Sequence, residues 1–122
     1  MAKHAPRFLK LAEDARQHVH EIIAADVLTR LTGSAAPRII DVREDHEWAK
    51  GHLPGATHLG RGILERDIEK LVPDPHTELI LYCGGGYRSA LAAESLQRMG
   101  YDNVWSMAGG FTGWRDAGHP VE

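Results

Sequence analysis

The residues with the clearest chemistry lie in one run, Cys83-Gly84-Gly85-Gly86-Tyr87-Arg88-Ser89. Cys83 is the chain's only cysteine, and a thiolate is an intrinsically strong nucleophile. The glycines after it let successive backbone N–H groups turn inward and form a concave nest for an anion. The start of a following helix adds unpaired N–H donors and the positive end of the helix dipole. Arg88 adds a permanent cation with a planar fork of donors. The run therefore joins a nucleophile to a receptor for an anion. The plainer reading is a small buried hydrophobe at the end of a strand. The coincidence of thiol, glycines, arginine and helix start favours a reactive cysteine. No lysine follows the glycines, so a phosphate-binding P-loop is absent, as is a dinucleotide fingerprint.

Other candidate chemistry is weaker. Eight histidines invite a metal reading. His18 and His20 are expected on one strand face. His46, His52 and His58 recur at a spacing that suits neither strand nor helix, and no cysteine pair or His-Glu-x-x-His helix supports them. They read as solvated surface histidines, with no metal and no cofactor expected. Over 122 residues the hydrophobic share is 43% and the charged share 25%, as in one ordinary globular domain. A net charge of −3 offers no basic field for nucleic acid or anionic membrane. A single cysteine rules out an internal disulfide and fits a reducing compartment. No signal-peptide core or membrane-length apolar run stands out. The expectation is a cytoplasmic protein.

The elements that must position the loop follow from periodicity. Residues 79–82 read as a short buried strand, and residues 90–99 as a helix that ends at Gly100 and whose N-terminal donors begin near Tyr87. This puts the thiol at the C-terminal edge of a strand, where open α/β sheets bind ligands. Upstream, residues 6–17 are expected to form a helix with Pro6 in its first turn and Phe8, Leu11, Ala12 and Ala15 on one face. Its expected role is to cover the domain's own sheet. A strand over 19–23 and a helix to Leu31 follow, with Asp26 as the N-cap and Gly33 as the stop. A β-branched strand over 38–43 leads into a short helix over 44–50. A Pro-Gly turn and a strand over 56–59 come next. Ile63, Leu64, Ile68 and Leu71 line one face of a helix that stops before Pro73. A final strand over 103–107 and a helix over 111–117 close the chain, with Phe111 and Trp114 read as packing residues. Alternating strands and helices predict an α/β fold with a largely parallel sheet covered on both faces.

Three segments together resemble a single-domain rhodanese, a sulfurtransferase module. Asp41-Val42-Arg43-Glu44, with Glu47 and Gly51-His52-Leu53-Pro54-Gly55-Ala56, is similar to the family's first signature. Cys83 to Ser89 is similar to its active-site loop. Gly109-Gly110-Phe111 with Trp114, then Gly118-His119-Pro120-Val121, is similar to its closing signature. The resemblance covers about residues 19–122 and leaves residues 1–18 as an N-terminal helical extension. It implies a rhodanese-like parallel five-stranded sheet with helices on both faces. It also implies sulfur transfer in two displacements. Cys83 takes the outer sulfur of a donor such as thiosulfate and becomes a persulfide, and cyanide or a thiol then removes it. Gly84, Gly85, Gly86, Tyr87, Arg88 and Ser89 would bind the substrate: the N–H groups cradle the persulfide, and Arg88 steers the anionic donor. Asp41, Arg43 and Glu47 read as structural, with Arg43 bridging the nearby carboxylates.

Within that resemblance several choices stay open. Four residues separate Cys83 from Arg88. Related cysteine-based phosphatases carry one more, so the loop sides with sulfur over a phosphatase or arsenate reductase. Gly84 stands where thiosulfate-preferring relatives often carry a basic residue, and glycine there is also similar to mercaptopyruvate-using relatives. Tyr87 either walls the pocket or packs against a neighbour. The alternative function is a protein persulfide carrier with a protein donor or acceptor. A non-catalytic interaction module is disfavoured by the retained Cys83 and Arg88.

Overall fold

The computed structural model describes residues 4–122. The element at its centre is β4 (Leu79–Tyr82), whose four residues are all buried. Such a strand needs apolar cover on both sides, and the alternating side chains of a strand supply two cores at once. Leu79 and Leu81 join Ile40, Leu64, Ile68, Leu96 and Val104 on one side. Ile80 and Tyr82 join Val27, Ile39, Leu53, Met107 and Trp114 on the other.

The sheet has five strands in the order β1-β5-β4-β2-β3. These are β1 (His20–Ile22), β2 (Arg38–Asp41), β3 (Thr57–His58), β4 and β5 (Val104–Met107). Every pairing is parallel, as the alternation of elements predicts. The helices are α1 (Pro6–Arg16), α2 (Ala24–Leu31), α3 (Asp45–Ala49), α4 (Leu64–Leu71), α5 (Tyr87–Arg98) and α6 (Gly110–Asp116). Residues from α4 and α5 fill the first core, and residues from α2 and α6 fill the second.

Three local expectations are corrected. The α1 helix packs chiefly on α5 and not on the sheet. Its buried residues are Ala12 and Ala15, and side chains that small allow a close helix–helix approach. Asp26 does not cap α2: Ile23, in an extended conformation, holds that position, and Asp26 lies in the first turn, where a carboxylate still favours the helix dipole. His18 lies in the turn before β1, so it shares no strand face with His20.

Candidate active site

Cys83 is the first residue beyond β4 and is buried, with 1% of its surface exposed. Its sulfur is held from three directions. The Gly86 N–H donates to Sγ at 3.1 Å and the Ser89 N–H at 3.3 Å. The thiol in turn donates to Ser89 Oγ at 3.5 Å. When the thiol loses its proton, the same hydroxyl can donate to the sulfur, because a hydroxyl has one donor and two acceptor sites. Ser89 Oγ lies 2.8 Å from Ser106 Oγ, so the chain Cys83–Ser89–Ser106 continues onto β5.

The loop takes this shape for backbone reasons. Gly86 has a φ of 99° and caps the N-terminus of α5. A Cβ there would strain the left-handed turn and would stand 3.2 Å from the Gly109 nitrogen. Tyr87, Arg88 and Ser89 then form the first turn of α5, which aims N–H donors at the sulfur. Across the loop, α6 starts at Gly110, where a Cβ would come within 2.6 Å of Gly84's carbonyl oxygen. That closeness lets the Phe111 N–H donate to the Cys83 carbonyl at 2.7 Å and the Thr112 N–H to the Gly84 carbonyl at 3.0 Å. These bonds fix the Cys83 and Gly84 carbonyls on α6, while the Gly86 and Ser89 amides face the sulfur.

Arg88 is committed to a protein partner. Its two terminal nitrogens donate to the two Glu47 carboxylate oxygens at 2.8 and 3.0 Å, a bidentate fork. The Glu44 N–H also donates to Glu47, at 3.1 Å. The Arg88 hydrogen bonds hold the Glu47 carboxyl down at about 2, against the opposing effect of burial. The Arg88 guanidinium is raised in return, chiefly by the same hydrogen bonds. The expectation that Arg43 bridges the nearby carboxylates is therefore corrected: Arg43 binds Asp41 through Nε and Nη2 and the Gly51 carbonyl at 2.7 Å, and Glu47 belongs to Arg88. Asp41 and Arg43 form a buried pair that ties β2 to the turn after α3, a structural role.

Tyr87 fills both roles open to it. Its ring meets His4 at 4.8 Å and Phe8 at 6.5 Å. It also lines a cavity of about 460 Å³ together with His4, Gly84, Gly85, Arg88 and Thr112. Sequence reasoning missed Ser106 and the Glu47–Arg88 pair. A serine facing inward in an apolar strand is the one signal that marked Ser106. Two histidines read as solvated are partly buried and pack on Trp48: His52 stacks at 3.7 Å with planes 4° apart, and His58 at 5.1 Å. His58 Nε2 also bonds the Arg43 carbonyl at 2.8 Å.

Sheet and loop together define a parallel α/β domain built around one cysteine. The chain belongs to the rhodanese-like domain family, whose model matches residues 24–117. The thiosulfate sulfurtransferase GlpE of Shewanella oneidensis is 30% identical over 95 residues, which span 78% of this chain and 92% of that protein. A putative sulfur carrier protein of Bacillus subtilis, YrkF, is 33% identical over 76 residues, spanning 62% of this chain and 40% of that protein. Among solved structures, a Rhodopseudomonas palustris protein of unknown function, described as a possible tyrosine phosphatase, superposes with a TM-score of 0.83 at 34% identity. It covers 100% of this chain and 99% of its own. A thiosulfate sulfurtransferase from Pseudomonas aeruginosa gives a TM-score of 0.80 at 30% identity, covering 89% of this chain and 21% of its own. No helix of the described residues is long and apolar enough to cross a membrane.

Proposed function

We propose that the protein is a sulfurtransferase that moves a sulfane sulfur from a small donor such as thiosulfate to cyanide or a thiol through a Cys83 persulfide. The observation that carries this is the cradle of Gly86 N–H, Ser89 N–H and Ser89 Oγ around one sulfur atom. The Cys83 thiolate attacks the outer sulfur of thiosulfate. The S–S bond of the donor breaks, and sulfite leaves with the electron pair. The acceptor then attacks the outer sulfur of the persulfide, and Cys83 departs as thiolate. With cyanide the product is thiocyanate. Cradle donors fixed before the reaction stabilise the anionic sulfur at each stage without reorganising. The scheme calls on no cofactor.

In this reading Gly84, Gly85, Gly86, Tyr87, Arg88 and Ser89 bind the substrate. Arg88, fixed by Glu47, forms a rigid wall and not a free arm that reaches for the donor. The same pairing argues against a phosphatase, since the guanidinium fork that would clasp a phosphate already holds a carboxylate. Residues 1–18 act as an extension on a rhodanese-like domain of 19–122, and its His4 contributes to the wall of the mouth. The reaction fits the cytoplasm, where a lone thiol stays reduced. The resemblance to YrkF supports a second reading, a persulfide carrier that exchanges sulfur with a protein cysteine.

Replacing Cys83 with Ser separates chemistry from fold. Serine is close in size and cannot form a persulfide, so thiocyanate production from thiosulfate and cyanide is expected to vanish while the circular dichroism spectrum stays unchanged. Turnover by a folded Cys83→Ser protein would sink the proposal.

A further inference from the structure

A second cavity, of about 390 Å³, adjoins the mouth of the Cys83 site. Gly84 and Thr112 line both, and the Thr112–Gly84 hydrogen bond fixes that shared wall. A side chain at Gly84 would occupy the passage, since its Cβ would stand 3.0 Å from Arg88 Nη2. The groove is lined by three charged groups besides Lys50: Arg43, Glu47 and Arg115. Two of these are already spent. Arg43 is neutralised by Asp41 and Glu47 by Arg88. Lys50 makes no ion pair with any described residue. Arg115 lies 6.0 Å from the centre of the Phe111 ring and has one long ion pair, 3.4 Å to Asp116, between side chains that are each more than half exposed, and such a pair is worth little. The groove thus keeps two cations free of strong ion pairs, with Phe111 and Val121 as its apolar lining. Glu122 follows the lining residue Val121, and its backbone is tied to His52.

We propose that this groove is a subsite for the carboxylates of the sulfur acceptor, a small thiol that carries its negative charge several bonds from its sulfur. The inference rests on the sulfurtransferase reading and names the acceptor class for the same site. Thiosulfate is too compact to use it, because its charge sits on the atoms next to the transferred sulfur. A longer anionic thiol places its sulfur over Cys83, lays its aliphatic chain past Gly84 along Phe111 and Val121, and sets its carboxylate between Lys50 and Arg115. Transfer then proceeds as before. The acceptor thiolate attacks the outer persulfide sulfur, the new S–S bond forms, and Cys83 leaves as thiolate.

The test compares glutathione with its diethyl ester, which keeps the thiol and loses both negative carboxylates. Cyanide serves as an acceptor too small to reach the groove. The thiosulfate-loaded protein is mixed with each, and KM and kcat for persulfide discharge are read separately. The wild type is expected to show a KM for glutathione about fivefold below that for the ester, as two exposed charge contacts allow. That preference is expected to shrink as salt rises from about 20 to 300 mM. In the Lys50→Ala/Arg115→Ala double variant the preference disappears, relative to cyanide in the same protein, and Lys50→Arg retains it. Equal KM values for glutathione and ester in the wild type, or an unchanged preference in the double variant, would overturn the subsite while cyanide discharge upholds sulfur transfer. Failure of any donor to load Cys83 would overturn both.

Discussion

Ser89 does two jobs at the sulfur, one with its backbone N–H and one with its hydroxyl. Its place in the loop is legible in the sequence, but its partner Ser106 is not. The two stand 17 positions apart, and only the register of β5 against β4 brings them together. Ser89→Ala keeps the amide and removes the hydroxyl. It is expected to slow persulfide formation about tenfold, the worth of one hydrogen bond of ~1.4 kcal/mol, and to lower the melting temperature as well, because the buried Ser106 hydroxyl loses its partner; stopped-flow loading of the folded variant with thiosulfate checks the rate. Glu47 teaches a similar lesson. Its charge type suggested a structural pair, but the partner is Arg88, 41 positions away, because the nearby Arg43 is already paired with Asp41. The depressed carboxyl of Glu47, at about 2, sets a pH signature. A lowered acid stabilises the fold above its ordinary value of about 4.5, and that stability is lost as pH falls toward 2. Glu47→Gln is expected to cost up to about 1 kcal/mol at neutral pH, since the pair is partly exposed. The gap between the two proteins in melting temperature is expected to close below pH 4.5. A gap that persists at pH 2 would contradict the pairing.

Strand alternation and helix periodicity made the elements legible, because each follows from which local face is apolar. What each helix packs against is a different matter. The apolar face of α1 shows in the sequence, yet the same stripe suits a sheet or a helix. The pair of buried alanines settles it in the structure by letting α1 lie close on α5. The junction of α6 with the active loop is also invisible locally, since it depends on backbone approaching backbone. Gly110 carries that approach. A Cβ there would meet the Cys83 carbonyl oxygen at 2.5 Å, at a φ of 55°. Gly110→Ala must push α6 away from the loop and is expected to destabilise the protein by about 1–3 kcal/mol. Persulfide loading is expected to fall further than stability alone explains, because the Cys83 and Gly84 carbonyls lose the partners that orient the loop. Denaturant unfolding alongside loading kinetics measures both. Wild-type loading in Gly110→Ala would show that the junction does not shape the site.

For the whole molecule, strand order is what turns a reactive residue type into a site. With β4 in the middle of β1-β5-β4-β2-β3, Cys83 emerges at the centre of the sheet's C-terminal edge. There α5 supplies amides from below and α6 seals the loop from the side. The parallel sheet and its double cover are dictated by composition and alternation. The strand order shows only when distant segments pair, and it is that order which puts Ser106 beside Ser89. The central claim is that Cys83 carries the transferred sulfur, and intact-mass spectrometry tests it most directly. The protein is measured as purified under reducing conditions, after thiosulfate, and again after cyanide. The account predicts a gain of one sulfur atom on Cys83 with the donor, its loss with cyanide, and no gain in Cys83→Ser. A protein that gains no sulfur from thiosulfate or mercaptopyruvate, yet loads from a protein persulfide, would be a carrier. One that loads from none of these would contradict the account.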